Sequence, residues 1–345
     1  MNKSYFLLND TRFDNHHGCL TVINNLHHAM ADRGWECLGS LPVSSKPSHL
    51  SRFFPKGDKP GLIVVNGEGS LHHSKRNSRN LLAICAELQK DYPVVLINAL
   101  WQDNQIEKNI TTLQAFKVIY TRDKRSQKEL LNAGVNAKYA PDLTFYKYPT
   151  AEKPTLSNTY ACTDSVINTW SIKARQLCDN KKNLDYLTMY TGKITHKRGL
   201  KDQIKSMKNS VYPRLYKYLK INVPPRYRVA SNEKAENTDA FIKKINQYNA
   251  ICVARYHALC FALQQNIPFV VISSNSHKSE ALLEEVGIPV NEFSSKESDA
   301  DLLPEKLISA AELAPKYKAQ IKLFCSNAKT LIDKMFDDIT EEKHD

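Results

Sequence analysis

Arg255, Tyr256 and His257 stand directly after the apolar run Ala250 to Ala254 and before a helix-compatible apolar block that ends near Asn266. An arginine fork grips phosphate or carboxylate at two points. A histidine can give or take a proton near neutral pH. The two together suit chemistry on a small anionic ligand. Alone, the pair is equally compatible with a salt-bridge arginine and a packed or capping histidine.

Other chemistry-bearing residues also follow apolar runs. Gly61-Leu62-Ile63-Val64-Val65 leads into Asn66-Gly67-Glu68-Gly69-Ser70, where Gly67 and Gly69 let the backbone turn sharply and approach a ligand. This G-x-G-S is neither the dinucleotide fingerprint nor a P-loop. Arg122 follows Ala115 to Tyr120, and Asp142 follows Val135 to Tyr139. Asn275 and Lys278 sit in the polar turn Ser273 to Lys278, after the run Phe269 to Ile272. The adjacent pairs His16-His17, His27-His28 and His72-His73 do not predict a metal site. Neighbouring side chains diverge, and no carboxylate–histidine ligand spacing accompanies them.

These residues need elements to carry them. Residues 250 to 272 read as strand, helix and strand, the unit that builds parallel sheets. Strands are predicted at 5–8, 61–65, 92–99, 115–120, 135–139, 159–162, 184–190, 250–254 and 269–272. Helices are predicted at 20–33, 81–90, 126–132, 166–178, 258–266, 280–286, 301–313 and 316–336, with a frayed tail from 337. The predicted fold class is therefore α/β, with parallel sheets whose carboxyl edges collect the polar residues. The polar loop Asn9 to Gly18 ends the first strand and is a further candidate part of a site.

The predicted organisation is an N-terminal Rossmann-like domain over 1–148, a C-terminal one over 149–315 bearing R-x-H, and a helix with a charged tail over 316–345. Pro141, Pro149 and Pro154 mark a linker near 146–156. A basic stretch, 193–220, carries Tyr212, Tyr216 and Tyr218 among its lysines and arginines. The formal charge of +12 favours anionic partners. The eight cysteines form no C-x-x-C and predict a reducing, cytoplasmic setting. No apolar run reaches the ~20 residues needed to span a bilayer, and the N-terminus does not read as a signal peptide.

Three stretches in order resemble the polysaccharide pyruvyl transferase family: the strand with Asn66-Gly67-Glu68-Gly69-Ser70; Arg122-Asp123 to Ser126 with Gly134 and Asp142 downstream; and Arg255-Tyr256-His257-Ala258 with Pro268 and Lys278. The resemblance implies two Rossmann-like domains facing across a cleft, the GT-B-like arrangement. It implies transfer of a pyruvyl group from phosphoenolpyruvate to a sugar of a cell-surface polysaccharide or its lipid-linked precursor, forming a ketal without cofactor or metal. On that basis His257 and Asp142 are expected to be catalytic, and so is Glu68 as an alternative base, although it stands where many members of the family carry a glycine. Gly67, Gly69, Ser70, Arg122, Arg255, Asn275 and Lys278 are expected to bind substrate. The alternative is a GT-B-type glycosyltransferase using a nucleotide-activated sugar. The basic stretch is compatible with peripheral contact to an anionic membrane at its inner face. A nucleic-acid module is not expected, since no helix-turn-helix, zinc-finger or RNP-like motif occurs.

Overall fold

The computed structural model describes residues 2–150, 159–192, 196, 234–273 and 276–341. The predicted linker falls partly outside this range, and the basic stretch does so except for His196. Two parallel sheets organise the chain. In the first, the strands lie in the order Glu36–Pro42, Ser4–Asp10, Leu62–Asn66, Val94–Ala99, Val118–Thr121, Lys138–Tyr139. In the second, the order is Leu184–Leu187, Tyr160–Thr163, Ala250–Val253, Phe269–Ile272, Ser294–Ser295. Every neighbouring pair in both sheets is parallel. Strands such as Leu62–Asn66, Val94–Ala99 and Phe269–Ile272 are buried along their whole length, as expected where helices cover both faces.

Each sheet reverses direction once. The first grows one way from Ser4–Asp10 and then the other, and the second does the same from Tyr160–Thr163. Open parallel sheets bind ligands in the crevice at such reversals, outside the carboxyl ends of the strands. The residues after Ser4–Asp10 and Leu62–Asn66, and those after Tyr160–Thr163 and Ala250–Val253, occupy these two positions.

The strand Glu36–Pro42 was not predicted. Gly39 and Pro42 interrupt its apolar pattern and it is half-exposed, as an edge strand can be. The two predicted terminal helices are one helix, Leu303–Thr340, of 38 residues. Pro315 removes a backbone donor inside it. The proline nevertheless faces solvent, and the buried positions continue in helical spacing on both sides of it, from Leu303, Leu307 and Ala310 to Tyr317, Ile321, Cys325, Ala328 and Ile332. The first residues of the expected frayed tail, up to Thr340, belong to this helix, and 342–345 lie outside the described residues. Asp337 accepts from Arg33 at 2.6 Å, and Asp338 accepts from Tyr120 Oη at 2.9 Å and Lys138 Nζ at 2.7 Å. A helix that starts beside the second sheet therefore ends on the first.

This bridging follows burial and not the individual ion pairs, which are partly exposed and worth little each. Ile332 is fully buried and Leu323 is 62% exposed on the same helix. Ile332→Ala is expected to cost about 2–5 kcal/mol, and Leu323→Ala within about 0.5 kcal/mol of nothing. Chemical denaturation of the two variants measures the difference.

Candidate active site

Three strands of the first sheet carry an asparagine at their last residue, Asn66, or at the residue before it, Asn9 and Asn98. Asn9 and Asn98 have positive φ, 63° and 55°, a conformation that asparagine adopts more easily than most residues. Their amides knit the strand ends together. Asn9 Nδ2 donates to the Asn66 carbonyl at 2.6 Å and to Ser70 Oγ at 2.9 Å, and Asn98 Nδ2 donates to Asn66 Oδ1 at 3.3 Å. The network holds the Gly67–Ser70 turn against the sheet. A Cβ on Gly67 would lie 2.6 Å from Ala99 Cα, so the turn requires glycine there. Gly69 sits at φ +56°, exposed at the tip. Ser70 Oγ also donates to the Glu68 carbonyl at 3.1 Å, so its hydroxyl braces its own loop.

Glu68 points inward from this turn and is buried. Its Oε2 accepts from Thr11 Oγ1 at 2.7 Å and Asn66 Nδ2 at 3.2 Å, and its Oε1 accepts from Cys19 Sγ at 3.1 Å. From the second half comes His257, at the start of the helix Tyr256–Gln264. Its Nε2 lies 3.4 Å from Glu68 Oε1 and 3.8 Å from Asp142 Oδ2, buried and without a hydrogen-bond partner. Gly18 makes the approach possible. A Cβ there would fall 2.1 Å from His257 Cγ and 2.2 Å from its Cβ.

Asp142 and Arg122 form a buried ion pair, Nη1 to Oδ2 at 3.0 Å. Burial opposes the charge on Asp142, but His257 and the Arg122 guanidinium hold its carboxyl well below the usual carboxylate range. It was expected as a catalytic residue with base as one role. The geometry gives it to Arg122, which makes it a weak base and an orienting group. The Arg122 guanidinium lies 4.2 Å over the Tyr256 ring, and its buried Nε has no partner. Arg255 caps the helix after Ala250–Val253. It is held by Asp164 Oδ2 at 2.8 Å from Nε and 2.6 Å from Nη2, and it lies 4.8 Å over the Tyr190 ring. Asp164 was not anticipated, although it follows a buried strand as the expected residues do.

Lys278 opens the helix Lys278–Val286. Ties across the cleft seat it: His277 Nε2 lies 3.1 Å from Asp123 Oδ1, the His277 N–H donates to Gln102 Oε1 at 3.0 Å, and Glu285 accepts from the Lys124 N–H at 2.7 Å. Among the described residues no acceptor meets Lys278 Nζ. Burial, then repulsion from Arg122, Arg255 and Lys75, pushes its amine down to about 7. Asn275 lies outside the described residues. The structure thus gathers Glu68, Arg122 and Asp142 from one half with Arg255, His257 and Lys278 from the other. It adds Thr11 and His16 from the segment after the first strand, and Gly18 and Cys19 from the first turn of the helix His17–Ala31.

A family model described as polysaccharide pyruvyl transferase matches residues 40–276. No curated protein sequence is significantly similar to the chain. Among solved structures, the Staphylococcus aureus MnaA–UDP co-structure is similar at 13% identity over 99% of each chain, with a TM-score of 0.52. UDP-GlcNAc 2-epimerase from Neisseria meningitidis, bound to UDP-GlcNAc, is similar at 10% identity over 97% of this chain and 99% of that one, with a TM-score of 0.50. These likenesses show the two-domain, GT-B-like fold.

Two predictions follow from the site. Gly18→Ala drives a methyl into the His257 ring and should lower the melting temperature. In Gly18→Ala/His257→Gly, which also removes the Cβ that the new methyl would meet, the loss should be smaller than the sum of the two single changes, and strict additivity would refute the contact. Lys278 gives a pH signature. Its amine titrates near 7 when folded against 10.5 ordinarily, so the unfolded chain binds more protons between those values and stability rises with pH across that window. Lys278→Met should therefore be more stable than the parent below pH 7, with the gain fading towards pH 10.5 in denaturation curves.

Proposed function

The chain belongs to the polysaccharide pyruvyl transferase family, and from that footing we propose that it moves a pyruvyl group from phosphoenolpyruvate to a pair of hydroxyls on a sugar of a cell-surface polysaccharide or its lipid-linked precursor. The observation that carries this reading is His257 Nε2, buried and unpartnered, 3.4 Å from Glu68 Oε1 and beside the guanidinium–carboxylate pair of Arg122 and Asp142. A proton donor and a proton acceptor meet where the cations of both halves converge.

In this reading Arg122, Arg255 and Lys278 receive the donor's phosphate and carboxylate. The unused Nε of Arg122 and the free amine of Lys278 are available for that purpose. Anion binding favours the charged amine, so Lys278 takes up a proton as the donor arrives at a pH above its depressed value. His257 then gives a proton to the methylene carbon of the enol, and the central carbon becomes electrophilic. A sugar hydroxyl attacks that carbon while Glu68 takes its proton. The carbon–oxygen bond to phosphate breaks, and inorganic phosphate leaves. A second hydroxyl closes the ketal. One hydroxyl proton replaces the one spent on the methyl group and the other leaves with phosphate, so the pair is restored. Asp142 orients His257 and Arg122 throughout.

The acceptor is read as lipid-linked because the basic stretch 193–220 is suited to an anionic bilayer surface. Among the described residues no helix is long and apolar enough to cross a membrane. The fold's likeness to UDP-bound proteins supports a second reading, a glycosyltransferase with a nucleotide-sugar donor.

Phosphate release and acceptor mass measured together decide between them. Phosphoenolpyruvate should yield phosphate and a pyruvylated sugar, and UDP-sugars should yield nothing. His257→Ala and Glu68→Gln should each lower turnover by roughly 10²–10⁴-fold with little loss of donor affinity, and Arg255→Lys should weaken donor binding first. Wild-type turnover in His257→Ala would sink the assignment, and transfer from a UDP-sugar would establish the second reading.

A further inference from the structure

Among the described residues, one group of three side chains presents metal-ligand atoms within 4.8 Å of one another: His16, Cys19 and His257. A fourth donor adjoins it. Glu68 Oε1 lies 3.1 Å from Cys19 Sγ and 3.4 Å from His257 Nε2. A tetrahedral zinc ion with ordinary bond lengths separates its ligand atoms by roughly 3.4–3.7 Å, so small side-chain shifts admit one. We propose that His16, Cys19, Glu68 and His257 form a binding site for a borderline-soft divalent cation such as Zn²⁺, and that its occupancy inhibits the enzyme.

The construction of the site supports this. His16 caps the helix His17–Ala31, and Cys19 is the third residue inside it. Residues three apart share one helical face. His257 is brought to them because Gly18, between the two, has no side chain. Its Nε2 is buried, with the side chain 9% exposed, and no hydrogen bond occupies it. Imidazole, thiolate and carboxylate are the donor set that zinc takes.

The charge also balances. The Cys19 thiol now donates to Glu68, and metal binding would release that proton. Thiolate and carboxylate then offset the two positive charges of the ion. The nearby arginines do not repel it freely, since Arg122 is paired with Asp142 and Arg255 with Asp164. His16 would give up its cap bond from the Gly18 N–H, a long one at 3.2 Å, if its other ring nitrogen coordinates. The site spans both halves of the chain, so a bound ion ties them together.

The binding site stands on ligand geometry alone. Only the inhibition rests on the proposed reaction, because coordination occupies the His257 Nε2 that moves the proton there. The test uses the full chain freed of metal with a chelator. Equilibrium dialysis should find about one zinc per chain, and cobalt in its place should give a thiolate-to-cobalt charge-transfer band. Both should be lost in Cys19→Ser, which keeps an O–H donor for Glu68, and in His16→Asn, which keeps a capping oxygen. Phosphate release from phosphoenolpyruvate should fall at least tenfold when the wild type is zinc-loaded, and the turnover of Cys19→Ser, whatever its level relative to the wild type, should be the same with and without that zinc. Wild-type protein without the cobalt band, or variants that still bind one zinc with native melting curves, would overturn the site. Zinc that leaves turnover unchanged or raises it in a protein that binds it would overturn the inhibition.

Discussion

The candidate site depends on one close approach, the His257 ring against the bare backbone of Gly18. The ring belongs to the second sheet's reversal point and the glycine to the first's. A side chain of any size at residue 18 would push the two apart. With hydrogen there, His257 reaches Glu68 and Asp142 of the opposite half. The surrounding contacts maintain that register. The backbone of His17 donates to Met189 at 2.9 Å, and Thr191 donates to Asn15 at 2.9 Å. The long terminal helix reinforces the arrangement from behind, since its two ends pack on different sheets.

Charge is distributed unevenly across the site. Arg122 and Arg255 each have a carboxylate partner and an aromatic ring beneath them. A buried ion pair of this kind contributes little net stability, but removing one partner leaves an uncompensated charge. The pairs therefore fix where the guanidinium groups point. Lys278 is the exception, a half-buried amine that no acceptor among the described residues neutralises. Such a group destabilises the empty protein and gains most when an anion arrives. The same reasoning separates the two carboxylates nearest His257: Asp142 is committed to a cation, and Glu68 is surrounded by neutral donors.

Much of this was legible in the chain. Uninterrupted apolar runs such as Leu62 to Val65, Val94 to Ile97 and Phe269 to Ile272 identify buried parallel strands, and polar residues directly after them mark the edge where ligands bind. Glu68, Arg122, Arg255 and His257 stand after predicted strands rich in apolar residues, and Asp142 follows the alternating stretch Val135 to Tyr139. The rule failed where the local pattern was weak or misleading. Glu36–Pro42 lacks the run because an edge strand is only half covered. The helices read at 301–313 and 316–336 are one because burial on a single face carries the helix past Pro315, and that burial is not visible in the local pattern. His16 and His17 looked unpromising as a pair, and they are indeed split, one into the site and one onto Phe241 at 4.7 Å.

The sequence by itself determined the fold class, most of the strands and helices in their order, and the sheet edge at which Glu68, Arg122, Asp142, Arg255 and His257 lie. Those features follow from run length and periodicity, which are local. Tertiary structure alone decided the partnerships: Asp142 with Arg122, Asp164 with Arg255, Cys19 with Glu68, and the neighbourhood of His16 and His257. These residues lie 20 to 241 positions apart. Their distances are set by how two sheets reverse, how their helices pack, and whether one glycine leaves room for a ring.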